Sequence, residues 1–166
     1  MTGHPQFTHV AGVHASTAAS NAVLGLRRKA ADGFPRVTFT RPEIAAVGVP
    51  PCDAERDPSL IVRTIEHREV DRAVAEDETA GRSCLVLDRR GRIVGASIVG
   101  PRAGESLSEV VLAISQRLRT RDVAGTMHAY PTYGDGVWNA AIADVRARLG
   151  TALASSAVTL LRRARR

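Results

Sequence analysis

The chain has 166 residues, of which 44% are apolar and 24% are charged, so we predict a soluble globular protein with one sizeable core. It is too short for two full domains, it has no apolar run near the roughly 20 residues of a membrane-spanning helix, and it lacks a secretory signal pattern, which favours a cytoplasmic location. Cys52 and Cys84 lie far apart without metal-ligand spacing, so we expect two free thiols and no metal site.

The formal net charge of +6 and the pI of about 10.5 would suit a protein that binds nucleic acid, but the positive charge is unevenly placed. Removing the four arginines at the extreme C-terminus from the total of +6 leaves only +2 on the remaining residues. We therefore interpret residues 150–166 as a basic C-terminal tail or helix, and we expect no specific nucleic-acid partner. The four arginines are Arg162, Arg163, Arg165 and Arg166.

The first half of the chain alternates between helical and strand patterns. Small apolar residues at helical spacing over residues 8–26 predict a helix that packs closely on a neighbour and ends at the Asp-Gly-Phe-Pro sequence of residues 32–35. β-Branched residues predict strands over residues 36–40 and 60–65. We expect residues 43–47 to form one turn of helix, residues 50–58 a loop and residues 71–81 an exposed connection.

The clearest pattern in the chain is a hairpin. Two β-rich runs, residues 83–87 and 92–99, flank the short turn Asp-Arg-Arg-Gly, whose glycine suits a left-handed position. Helical periodicity follows over residues 103–118 and 135–149, with a short turn or helix at 122–126 and a further helical stretch at 153–161. The fold class we predict is α+β: an antiparallel sheet with a central hairpin, covered by helices on one face.

Four segments in this order resemble the C-terminal dimerisation domain of the pyridine nucleotide-disulfide oxidoreductases, the family of dihydrolipoamide dehydrogenase, glutathione reductase and mercuric reductase. They are Thr-Phe-Thr-Arg-Pro-Glu with its following Val-Gly (residues 38–48), the hairpin (88–100), Ala-Gly-Glu (103–105) and His-Ala-Tyr-Pro-Thr (128–132). The resemblance implies a dimerisation domain at residues 35–149. Residues 5–11 resemble the last flavin-contacting segment of that family's FAD domain, so residues 1–34 are interpreted as a residual helix from its end.

The resemblance also implies a set of site residues. The family's acid/base histidine and the glutamate that orients it fall on Tyr130 and Asp135, and a phenol with a pKa near ~10 is a better proton donor than a base at neutral pH. The positions that the resemblance places near FAD are Thr8, His9, Ala11, His128 and Pro131.

Each of these residues also has a purely structural interpretation. Tyr130 could pack beside Pro131, Asp135 could be the N-cap of the helix that begins there, and Thr8 could cap the first helix. His128 could bond a backbone carbonyl in the core, and the aromatic residues Tyr133 and Trp138 are interpreted as core or interface residues.

The sequence lacks the parts that would make this family's chemistry complete. No G-x-G-x-x-G turn and no close cysteine pair occur in it, although dinucleotide binding and disulfide reduction need them. We therefore expect a fragment that is not competent for catalysis alone. The full-length members of the family use FAD and NAD(P), and we expect this chain to bind neither cofactor by itself.

Three functions stay open from the sequence. The first is an interface domain that homodimerises through the sheet and the two long helices after the hairpin, and that docks an FAD-domain partner chain. It predicts an exposed apolar patch on the first helix, and weaker packing and dimerisation when Val111 is replaced by Asp. The second is an arginine-rich protein that binds nucleic acid or an anionic membrane surface. The third is an inactive remnant.

Overall fold

The computed structural model describes residues 6–30 and 33–150, which fall into two compact units divided between Phe34 and Pro35. The helical stretch expected at residues 153–161 and the arginines of the basic tail lie outside the described residues. Within the described ranges, no helix is long and apolar enough to cross a membrane.

The first unit contains one helix, α1 (Thr8–Leu24). The helix ends two residues before the predicted residue 26, and well before the stop signal expected at residues 32–35, because Gly25 adopts the left-handed conformation (φ 65°) that closes a helix. The Asn21 side chain then holds the chain that follows: it accepts a bond from the Arg28 amide (3.0 Å) and donates one to the Arg28 carbonyl (2.9 Å). Most side chains of α1 are exposed, and the larger apolar ones among them are Val13, Val23 and Leu24.

The second unit is built on a five-stranded sheet in which every neighbouring pair is antiparallel. The spatial order of the strands is β1-β2-β5-β4-β3, so the hairpin strands β4 and β5 occupy the middle. In chain order the strands are β1 (Arg36–Thr38), β2 (Glu43–Gly48), β3 (Leu60–Glu66), β4 (Arg82–Asp88) and β5 (Ile93–Gly100).

The hairpin prediction is confirmed. Gly91 has φ 77° in the turn, and the Asp88 carboxylate accepts the amides of Arg90 (2.8 Å) and Arg92 (2.9 Å). These two bonds lie within the turn itself, which explains why it could be identified from local sequence.

The segment that we expected to form a turn of helix, residues 43–47, is instead strand β2. It pairs with β1 on one side and with the full length of β5 on the other. Ala45 and Val47 are buried in the core, and their neighbours along the strand are not. A short run of Ile, Ala and Val has no periodicity that separates helix from strand, and the free edge of β5 decides the outcome.

In the part of the second unit that the structure describes, five α-helices accompany the sheet. α4 (Ala103–Ser115) packs on β2 and β5, and α6 (Asp135–Leu149) packs on β3 and β4. Three shorter helices are α2 (Pro51–Ala54), α3 (Asp71–Ala75) and α5 (Thr120–Ala124). Residues 50–58, which we predicted as a loop, and residues 71–81, which we predicted as an exposed connection, therefore each contain a short helix. Helix α5 begins two residues before the predicted start at residue 122.

The two faces of the sheet are covered differently. Leu85 and Leu87 lie in the core formed with α4 and α6, whereas Val86, which alternates with them, points to the other face and is also fully buried. There the chain before α2 passes directly over the sheet: a Cβ on Gly95 would lie 2.1 Å from the Val49 carbonyl oxygen. The long helices α4 and α6 thus cover one face of the sheet, as predicted, and the segment that leads into α2 covers part of the other face.

A buried carboxylate fastens α6 to the sheet and to α5. Asp144 is 0% exposed and accepts hydrogen bonds from the Thr120 hydroxyl (2.7 Å) and from Nε of Arg148 (2.6 Å). Nη2 of Arg63, on β3, lies 3.3 Å from its other oxygen as an ion pair. Removing one member of such a group leaves the others desolvated without a partner, which costs more than the group contributes as a whole.

We predict that Asp144→Asn lowers the free energy of unfolding by about 2–3 kcal/mol, because both arginines reach solvent in part and the loss is therefore smaller than for a fully buried pair. Urea denaturation of the variant and of the unmodified chain measures this difference. Glu55→Gln removes a charge from an exposed side chain and should stay within about 0.5 kcal/mol. Equal losses in the two variants would contradict the structural role of Asp144.

Candidate functional site

The loop between α5 and α6 forms one wall of a pocket of about 380 Å³. The opposite wall comes from the first half of α4, and α3 contributes Arg72 at the rim. The lining carries both signs of charge and includes Arg72, Arg102, Glu105, Glu109, Pro131 and Tyr133. The loop contains four of the residues that the sequence analysis singled out, so the contacts of each one are described in turn.

His128 anchors the loop on α4. Its Nε2 lies 2.8 Å from Oε1 of Glu109, its Nδ1 lies 2.9 Å from the Thr126 carbonyl oxygen, and its ring stacks on Trp138. The contact with a backbone carbonyl was expected from the sequence, and the contact with Glu109 was not. Because both ring nitrogens face oxygen acceptors, the two hydrogen bonds form together when both nitrogens carry a proton. His128 thus holds the loop in position.

Tyr130 extends from this anchored loop. Its side chain is 66% exposed, and its peptide bond to Pro131 is cis. The phenol donates a hydrogen bond to Oδ2 of Asp71, the first residue of α3. That hydrogen bond, together with the negative charge of Asp71, raises the pKa of Tyr130 above its ordinary value. Tyr130 therefore stays protonated at neutral pH and can act as a hydrogen-bond or proton donor.

Asp135 lies at the start of α6 and is buried, with 3% of its surface exposed. It accepts hydrogen bonds from the Thr132 amide (3.0 Å) and the Thr132 hydroxyl (3.4 Å), which secures the end of the loop. The helix N-cap is Gly134, so the prediction of Asp135 as N-cap is wrong by one residue. Tyr130 bonds Asp71 and Asp135 bonds Thr132, so the two residues implied as a catalytic pair have separate hydrogen-bond partners.

Tyr133 is a core residue, as one of our interpretations proposed. It is 4% exposed and packs with Val70 and Ala73. Its hydroxyl donates to Oε2 of Glu76 at 2.8 Å, and burial together with this bond raises the pKa of Tyr133 to about 12. Both tyrosine hydroxyls of the loop thus donate hydrogen bonds to carboxylates on α3 or in the chain just after it.

One buried histidine near the loop before α6 was not predicted as a site residue from the sequence. His67 is 1% exposed, and its Nε2 lies 3.1 Å from the Ser83 hydroxyl. A Cβ on Gly81 or on Gly100 would come within 2.7 Å or 2.3 Å of its ring, so both positions need glycine. Burial lowers the pKa of His67, which favours a neutral ring. The sequence signals that could have revealed it are these two glycines at strand ends.

The remaining predicted residues lie in the first unit. Thr8, His9 and Ala11 occupy the first turn of α1 and are exposed. Thr8 does not cap the helix, because the N-cap is Phe7 and no side chain caps the first turn; the His9 ring stacks on Phe7. Cys52 is exposed and Cys84 buried, both as free thiols, and no cluster of three potential metal ligands occurs among the described residues.

Comparison with known proteins identifies the family. Residues 34–141 match the dimerisation domain of the pyridine nucleotide-disulphide oxidoreductases, and the chain belongs to this family. Mercuric reductase of Acidithiobacillus ferrooxidans is 34% identical over 82% of this chain and 25% of its own length. Dihydrolipoyl dehydrogenase of Chlamydia muridarum is 33% identical over 83% of this chain and 30% of its own length. The chain therefore spans less than a third of the relatives it matches.

Solved structures agree with this assignment. LpdA from Mycobacterium tuberculosis superposes with a TM-score of 0.79 at 27% identity, over 84% of this chain and 31% of that chain. The flavoprotein disulfide reductase RclA from Escherichia coli has the same fold, with a TM-score of 0.72 at 20% identity over 81% of this chain and 32% of its own. The predicted family and the α+β fold class are both confirmed.

We predict that Asp71→Asn lowers the pKa of Tyr130 toward the ordinary value of about 10, because the variant removes the charged acceptor that favours the protonated phenol. The chain has two tyrosines, so a Tyr133→Phe background leaves Tyr130 as the single titrating phenol. Near-ultraviolet tyrosinate absorbance, measured against pH with and without Asp71→Asn, gives the shift. Superimposable titration curves would contradict the Tyr130–Asp71 contact.

Proposed function

We propose that this chain is the dimerisation domain of an FAD-dependent, mercuric-reductase-like disulfide oxidoreductase, and that two copies associate through α4 and the loop before α6. The family assignment supports the role, and one observation supports the surface: large apolar side chains are exposed where the loop rests on α4. Leu112 is 58% exposed and Met127 is 96% exposed.

These two side chains belong to one surface because the His128–Glu109 contact joins their segments. Leu112 follows Glu109 by one helical turn on α4, and Met127 precedes His128 in the loop. Burying an exposed apolar side chain stabilises association by about 25 cal/mol per Å² removed from water. An aspartate at either position should therefore oppose association strongly.

Tyr130 has a second role in this proposal. It takes the family's histidine position and extends from the same loop that carries Met127, so association of two copies would direct its phenol toward the other chain. Its hydroxyl is already polarised toward Asp71. We propose that Tyr130 donates a hydrogen bond or a proton to a group bound on the partner, with Asp71 as the residue that positions it, and that Asp135 acts by holding the loop through Thr132.

This chain lacks residues that could hold the family's dinucleotide cofactors by themselves. The sequence has no G-x-G-x-x-G turn, and Thr8, His9 and Ala11 provide one exposed helix start without the glycine-rich turn that a pyrophosphate needs. We propose that FAD and NAD(P) are held by other domains or by a partner chain, that residues 1–34 form the end of an FAD domain, and that residues 35–149 form the dimerisation domain.

We predict that Leu112→Asp and Met127→Asp each weaken self-association of the chain by at least about ten-fold, because each buries a charge at the proposed surface. Sedimentation equilibrium of the full chain measures the dissociation constant. Val111, chosen from the sequence, is less suitable because it packs partly against the core.

Ile44→Asp is the matched control, because Ile44 is an exposed apolar residue (47%) on the sheet. It should leave the dissociation constant unchanged. If Ile44→Asp separates the dimer and Met127→Asp does not, the sheet carries the interface and the proposed surface is wrong.

A further inference from the structure

A second concave site lies at the end of the hairpin and shares no lining residue with the pocket beside Tyr130. It has a volume of about 250 Å³, and four of its seven lining residues are arginines: Arg90, Arg119, Arg121 and Arg148. We call these four residues and the space between them the arginine cleft. Nothing in the proposed role as a dimerisation domain requires this concentration of positive charge.

Three segments that are distant in sequence build the cleft. Arg90 lies in the hairpin turn, Arg119 and Arg121 lie at the start of α5, and Arg148 lies in the last turn of α6. Backbone hydrogen bonds hold the first two segments together, from the Thr120 amide to Gly91 (2.9 Å) and from Ile93 to the carbonyl of Leu118 (3.1 Å). Nη1 of Arg148 donates to the Arg89 carbonyl at 3.0 Å and ties in the third segment. The walls are therefore fixed before any ligand arrives.

The carboxylates around the cleft offset only part of its positive charge. Asp144 is buried and takes the charge of Arg148, and Asp122 lies 3.6 Å from Nε of Arg121. The Asp88 carboxylate accepts hydrogen bonds from backbone amides of the turn. Among the described residues, the guanidinium groups of Arg90 and Arg119 have no carboxylate partner, and the Asp122 carboxylate bonds Arg119 only at its backbone amide (2.8 Å).

The positive charges of Arg90 and Arg119 repel each other, and an anion bound between the two guanidinium groups would offset this repulsion. Guanidinium groups bind phosphate oxygens through two parallel N–H donors, which makes arginine suited to phosphate recognition. We propose that the arginine cleft binds a phosphate ligand that carries at least two negative charges. The charges could belong to a small phosphorylated compound or to neighbouring phosphodiesters of a nucleic-acid backbone, and the experiment separates these two sources.

The probes are pyrophosphate and a short single-stranded DNA, titrated calorimetrically into the full chain at low salt. The cleft variant is Arg90→Gln with Arg119→Gln. The matched control is Arg36→Gln with Arg68→Gln, which removes the same charge from exposed positions outside the cleft. Far-ultraviolet circular dichroism establishes that all three proteins are equally folded.

We expect pyrophosphate to bind the unmodified chain at one saturable site, at least about ten-fold more weakly in the cleft variant, and with unchanged affinity in the control. If the DNA also loses affinity only in the cleft variant, the ligand is a phosphodiester backbone; if DNA affinity is the same in both variants, it is a small phosphorylated compound. Equal pyrophosphate affinity in all three proteins, an equal loss in both variants, or no saturable binding overturns the proposal.

Discussion

The antiparallel pairing of β4 with β5 is the constraint on which the other elements of the second unit depend. β5 uses one edge for β4 and its other edge for β2, and β4 in turn pairs with β3, so the hairpin organises the whole sheet. The inward side chains of these strands form the floor on which α4 and α6 pack. The turn of the same hairpin contacts the start of α5 and the last turn of α6. A loss of register in this hairpin would therefore disturb every helix after β5.

From this framework, the loop before α6 gains its fixed position through side chains rather than through regular structure. His128 bonds Glu109 on α4, Tyr133 bonds Glu76 after α3, and Asp135 bonds Thr132 within the loop. These contacts hold a loop whose Met127 and Tyr130 remain exposed. Rigid support beneath exposed side chains is what an interface needs, because little conformational freedom is then lost on association.

The parts of this structure that could be predicted from sequence are those with local causes. The hairpin has its own turn residues, and α6 has helical periodicity, so both were placed correctly. β2 was mistaken for helix because its identity depends on the edge of β5, some fifty residues further along the chain. The partner of Tyr130 could not be predicted, because Asp71 is 59 positions away and lies in a segment that resembled an exposed loop. The family resemblance implied that Tyr130 pairs with Asp135, whereas in the structure the Tyr130 hydroxyl bonds Asp71.

We propose that this chain is a dimerisation domain and that the family's cofactors are held by another domain or chain. Multi-angle light scattering across a concentration series, with a visible absorption spectrum of the same sample, tests it most directly. We expect a mass of twice the 17.7 kDa of one chain and no flavin absorption. A mass of one chain at every concentration would contradict the proposed dimer, and a yellow sample would contradict the assignment of FAD to another domain or chain.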